Sequence, residues 1–197
     1  MIERLPEPPA RLPAPVTLVE EVVSLWRLHW EEDPLHPRYY PTGKYRFDAP
    51  AGEYPTLYGN QDALGAFAEV YGDVGLIDAD QAARRLSVVS ARRPLRLIPL
   101  DEPHVLRRLG LDARINVSKE YDRTQRWGRA LYRGVPAADG IRYLSRHAVR
   151  HLNYCLFLDR CGPDLSVSLL GAIEELRRIA PFAADAYQLA VRVGWRS

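Results

Sequence analysis

The sequence predicts a single α+β domain, with a split or mostly antiparallel sheet and flanking helices. Three observations carry this. Strand-length runs rich in Val, Ile and Leu recur along the chain, roughly six to eight of them, among about four or five helical stretches. They do not alternate in the regular βαβ order that builds a doubly wound parallel sheet. The 197 residues show no internal repeat and suit one ordinary domain with its own core.

The elements follow in order. Residues 1–16 are Pro-rich, unable to hold a helix or a central strand, and are expected as an extended arm over the surface ahead of one domain spanning 17–197. Residues 17–30 are expected to give a short helix and then a strand centred on LWRLHW, and the Pro-punctuated EEDPLHPRYYPTG a loop. KYRF reads as a short strand, DAPAGE as a turn and YPTLYG as a strand. Asn60 or Asp62 caps a helix, DALGAFAEVYG, that stops at Gly72. ARRLSVVSA and RPLRLIPL are strands, and DEPHVLRRLGL a short helix with Asp101 as its cap. Tyr121, Trp127, Ala130 and Leu131 share a helical spacing that ends at Gly134. PAADGIRYLSRHA gives a turn and a strand, HLNYCLFLDRCG another strand, DLSVSLLGAIEELRRIAP an amphipathic helix stopped by Pro181, and YQLAVRVGW a final strand.

Composition excludes several classes. Hydrophobic residues at 47% and charged residues at 26% fit neither a disordered chain nor a membrane protein, and no stretch reads as a signal peptide or a membrane span. Lys and Arg number 27 against 25 Asp and Glu, a net charge of +2, which gives no general nucleic-acid binder. Lys44 and Lys119 are the only lysines, so the positive charge is almost all guanidinium, the group that grips phosphate bidentately. Cys155 and Cys161 offer neither a disulfide framework nor a CxxC metal site, which points to a reducing cytoplasm. The motifs GxGxxG, GxxxxGK[ST], HExxH and GxSxG are absent, and the five histidines make no tight ligand pair with carboxylates, so no metal is expected.

Polar groups stand where the pattern calls for apolar or inert ones: Arg27 in LWRLHW, Arg46 in KYRF, Glu69 in GAFAEVYG and Ser145 in IRYLSRH. Taken singly, each has a plain structural explanation. Arg27 and Arg46 can face solvent, Glu69 can pair with an Arg, a strand serine is commonplace, and Tyr58 can be a half-buried strand aromatic. Taken together, they compose a pocket for a dinucleotide: arginines for a pyrophosphate, a Tyr plate for a flat ring, a carboxylate for a ribose hydroxyl.

At these residues the chain resembles the RES-domain family, named for its Arg, Glu and Ser. The carrying strings are LWRL, YRFDAPAGEYPTLYG, ALGAFAEVYG, RPLRLIPL, and DGIRYLSR followed by CLFLDR, in family order over roughly residues 24–160. Family members often carry Gly-Arg-Trp where this chain has Tyr45-Arg46-Phe47, and the Arg46 to Tyr58 interval here is slightly long. The resemblance implies a fold similar to mono-ADP-ribosyltransferases and a bacterial toxin of a toxin–antitoxin module, paired with an Xre-type antitoxin and expected as a homodimer. It implies degradation of NAD by hydrolysis or phosphorolysis, with NAD as substrate and no further cofactor.

Carried over by position, Arg27 and Arg46 would contact the pyrophosphate and adjacent ribose, and Tyr58 would stack on the nicotinamide. Glu69 would serve the reacting ribose as the catalytic carboxylate, and Ser145 would support the nicotinamide end. The alternatives are a mono-ADP-ribosyltransferase that modifies a protein or nucleic acid, and a catalytically silent domain that binds an antitoxin. Transferases of this fold often carry an acidic residue shortly before the key Glu; Phe67 stands there in this chain.

Overall fold

The computed structural model describes residues 4–30, 35, 44–73, 84–147 and 150–172. Most of the loop expected between residues 31 and 43 lies outside them, as do the end of the last expected helix and the final expected strand. Eight strands form one sheet in the order β1-β5-β6-β7-β3-β2-β4-β8. In chain order they are β1 (Val19–Glu21), β2 (Ser24–His29), β3 (Thr56–Asn60), β4 (Arg85–Ala91), β5 (Leu95–Pro99), β6 (Gly140–Leu144), β7 (Leu152–Phe157) and β8 (Leu165–Ala172). Every neighbouring pair is antiparallel except β5 and β6. A parallel pair needs a long crossover, supplied here by α2 (Pro103–Leu109), α3 (Arg114–Val117) and α4 (Tyr121–Gly134). Helix α1 (Ala63–Tyr71) follows β3, and α5 (Leu158–Cys161) closes β7. The fold is α+β with a mostly antiparallel sheet, as the sequence predicts.

Strand alternation sends side chains into cores on both faces. Cys155 and Phe157 of β7 join one cluster with Ile98, Ile141, Trp127 and Leu131, while Tyr154 and Leu156 join a second with Leu25, Leu57, Val89 and Leu97. Helix α4 buries Thr124, Trp127, Gly128 and Leu131, the i, i+3, i+4, i+7 stripe of an amphipathic helix. Across this core Tyr54 stacks on Tyr132 at 4.2 Å between ring centroids and meets Phe157 edge-on at 5.3 Å.

The Pro-rich segment has neither helix nor strand over residues 4–16. It is nonetheless tied down, because Leu5 belongs to the first cluster and Trp127 Nε1 donates to the Pro6 carbonyl at 2.8 Å.

Five local expectations are corrected. Residues 17–21 hold strand β1 paired with β5 instead of a helix, because so short a segment gains more from a ladder than from one costly helical turn. KYRF is a turn: the Lys44 and Tyr45 N–H groups both donate to Asp48 Oδ2, so a local side-chain acceptor displaces strand pairing. Asp101 is not a helix cap. Glu102 holds that position without a side-chain bond, while Asp101 takes the Arg142 guanidinium through two bonds of 2.8 Å. The strand HLNYCLFLDRCG ends at Phe157 and turns into α5. Residues 165–172 are strand β8, registered along β4, where a helix is expected; the alternation in LSVSL is a period of two.

Candidate active site

The cleft opens where the sheet divides. β2 and β3 are registered at one pair only, Trp26 with Asn60, whereas β2 runs beside β4 for six pairs. Arg27, the next residue, spans the gap, its Nη1 donating to the Tyr58 carbonyl at 3.2 Å. It is 4% exposed, which overturns the reading of a lone solvent-facing arginine.

A cavity of about 240 Å³ lies at this point, lined by Arg27, Arg46, Tyr58 and Glu69 among others. Four of the five predicted site residues therefore line one space. Ser145 is 0% exposed and stands behind Glu69, its hydroxyl donating to Glu69 Oε1 at 2.5 Å and accepting from the His147 N–H at 3.2 Å. It touches the carboxylate and does not line the cavity.

Helix α1 positions Glu69. Its N-cap is Asp62, not Asn60: Asp62 Oδ1 accepts from the Gly65 N–H at 2.7 Å and Oδ2 meets His151 Nδ1 at 2.5 Å. Phe67 and Tyr71 pack with Leu28 and Leu86, fixing the helix's buried face. Glu69 is half-buried on the cavity side, so the apolar setting suggested by GAFAEVYG belongs to its neighbours; the carboxylate itself meets Ser145 and the cavity.

The arginines are fixed from behind. Arg46 uses Nη1 for the Ile115 and Ser118 carbonyls, at 3.2 and 2.6 Å, and lies 5.8 Å from the Tyr121 ring. Tyr58 Oη accepts from the Phe47 N–H at 2.9 Å, and its ring lies 5.6 Å from Tyr45. Burial, with Cys155, Asp48 and Tyr143 adding to it, pushes the Tyr58 phenol well above the usual range, so the plate is neutral. Tyr143 is likewise pushed well above its usual value, first by burial and then by the Glu69 carboxylate, with Arg46 opposing.

Residues that the sequence reading left aside complete the walls. Arg84 and Arg146 add positive charge, and Asp73 adds a second carboxylate. Burial raises the Asp73 carboxyl, but Arg146, His147 and Lys119 outweigh it and hold it below its ordinary value. Asn60 and Asn153 line the floor. Asn153 was visible as an amide inside the apolar run LNYCLF, a position that strands disfavour.

The class defined is an α+β domain with a cleft at a divided, mostly antiparallel sheet, lined by arginines, tyrosines and the Glu69 carboxylate that Ser145 buttresses. A sequence model of the RES domain matches residues 24–178. The chain belongs to the RES-domain family. The crystal structure of the M. tuberculosis MbcT-MbcA toxin-antitoxin complex contains a chain of similar fold, with a TM-score of 0.65 and 17% identity over 82% of this chain and 90% of that one. Comparison with curated proteins gives no match. Among the described residues no helix is long and apolar enough to cross a membrane, and no group of three or more His, Cys, Asp or Glu could hold a metal ion.

Proposed function

We propose that this chain is the toxin of a bacterial toxin–antitoxin pair and cleaves the nicotinamide–ribose bond of NAD. The observation that carries the reading is Glu69, fixed by Ser145 at the wall of a cavity it shares with Arg27, Arg46 and Tyr58. As the bond breaks, its electron pair leaves with the pyridinium nitrogen, giving neutral nicotinamide and a ribose with oxocarbenium character. A good leaving group needs no strong general acid, and catalysis falls to negative charge placed beside the developing cation. Glu69 supplies that charge. The guanidinium groups suit the pyrophosphate, and Tyr58 suits a stacked ring. Water then yields ADP-ribose, and inorganic phosphate its 1-phosphate.

The antitoxin partner, Xre-type in the family, is proposed on the same footing, supported by the toxin-antitoxin complex of similar fold; so is a homodimer acting in the cytoplasm. Transfer to a macromolecule is less favoured, because Phe67 lies on the buried face of α1 and offers no group to an acceptor.

Purified protein incubated with NAD, with and without phosphate, should release nicotinamide with ADP-ribose or its phosphate. Glu69→Gln should keep the fold and lose at least about a hundredfold in kcat, the scale of one transition-state charge contact. Undiminished turnover in that variant removes Glu69 from the reaction.

A further inference from the structure

The floor of the cavity includes one cross-strand row. Tyr143 of β6 stands opposite Asn153 of β7, Asn153 opposite Asn60 of β3, and Asn60 opposite Trp26 of β2. Directly opposed residues share a face, and all four line the cavity. The two central amides are almost completely enclosed, with Asn60 1% and Asn153 3% exposed.

Hydrogen bonds fix which way each amide points. The Asp62 N–H can only donate, and it bonds Asn60 Oδ1 at 3.1 Å. Asn60 therefore turns Nδ2 toward Asn153 and donates to its Oδ1 at 2.6 Å. That leaves Asn153 Nδ2 as the outer atom of the chain of bonds, and among the described residues it has no acceptor. A buried donor without an acceptor costs free energy, and native structures rarely leave one without a purpose.

The place for an acceptor is flanked by rings, which suits a flat group. Trp26 and Tyr143 bound the amide pair with aromatic rings. We propose that Asn153 is a specificity-determining residue, whose Nδ2 donates to the carboxamide oxygen on the pyridine ring of the dinucleotide; this rests on the NAD reading above. A site built to hydrogen-bond one substrate group rejects analogues that lack it.

The test pairs variants with analogues. Wild type, Asn153→Asp and Asn153→Ala are each assayed on NAD and on the analogue whose pyridine ring carries hydrogen in place of the carboxamide. Asn153→Asp keeps the acceptor for Asn60 and exchanges only the outer nitrogen for oxygen. Differences in leaving-group reactivity belong to the substrates and cancel between enzymes. The wild-type preference for NAD over the analogue, as a ratio of kcat/KM, should fall by about tenfold in both variants. An unchanged ratio while NAD is still consumed overturns the assignment of Asn153 and leaves the NAD reading standing. No NAD consumption by wild type overturns both. If the variants fail to fold by circular dichroism, the Kd values of Glu69→Gln protein decide: about tenfold tighter binding of NAD than of the analogue is expected, and equal affinities overturn the inference.

Discussion

Gly65→Ala separates helix propensity from packing, because the two predict opposite signs. In a helix Ala is favoured over Gly by about 0.5–1 kcal/mol. At position 65, however, a Cβ would lie 2.0 Å from Asn60 Oδ1, 2.3 Å from Cγ and 2.5 Å from Nδ2. Asn60 has no free rotamer to retreat into, since its amide is held by the Asp62 N–H on one side and Asn153 on the other. Overpacking costs about 1–3 kcal/mol, and loss of the two bonds adds about 0.5–1.5 kcal/mol each. Set against the propensity gain, the net destabilisation is about 1–5.5 kcal/mol. For a domain of this size that lowers Tm by at least about 2 °C. Thermal unfolding by circular dichroism measures it, and a double-mutant cycle with Asn60→Ala should show the two changes costing less together than their sum. A Gly65→Ala protein as stable as wild type or more so would refute the close approach that holds α1 over the cavity floor.

Other expectations concern separate parts of the molecule. Ser145→Ala removes the hydroxyl that bonds Glu69 Oε1 and should lower kcat about tenfold with KM little changed, the low end for a charge-assisted bond at a half-buried group; wild-type kcat would deny it a positioning role. Leu5→Ala should cost about 2–5 kcal/mol as a core truncation, and an unshifted Tm would show the Pro-rich arm to be dispensable. Burial raises the Asp139 carboxyl, yet Arg93 and the Arg96 N–H more than offset this and leave it below its ordinary value. Its contribution to stability is therefore full above the unfolded value of about 4 and is lost as pH falls below that. Asp139→Asn should be less stable than wild type at neutral pH, with the gap closing in acid; a gap independent of pH would contradict the pairing.

What could be read from sequence divides along physical lines. Helices α1 and α4 and the strands around Tyr58 and Ile141 carry periodicity and stop signals within their own residues, so local pattern is enough. β1 and the Asp48 turn do not: one depends on a ladder with β5, the other on a side-chain acceptor three and four residues downstream. β8 is hidden because LSVSLLGAIEEL blends a period of two into a helical spacing. At the site, residues of incongruous type in apolar runs, Arg27 and Glu69, were legible, and the cavity brings them together. The Asn60–Asn153 pair was not, because it exists only through the register of β3 on β7.

The divided sheet explains why charge and aromatic rings gather at this point and not elsewhere along β2. A strand that leaves its neighbour exposes backbone carbonyls needing donors and opens a space that apolar side chains would simply fill. Here an arginine meets both demands, bonding the Tyr58 carbonyl while keeping its charge at the cavity wall. Arg46 repeats the device, using one nitrogen on the Ile115 and Ser118 carbonyls. Each guanidinium is thus oriented before any ligand arrives, and a ligand need not order a long side chain at its own entropic cost. A lysine would meet the same carbonyls with a compact point charge and lacks the rigid planar fork that fixes the direction of the remaining donors. The fork of the guanidinium is what lets one nitrogen hold the fold's carbonyls while the side chain still stands at the cavity wall.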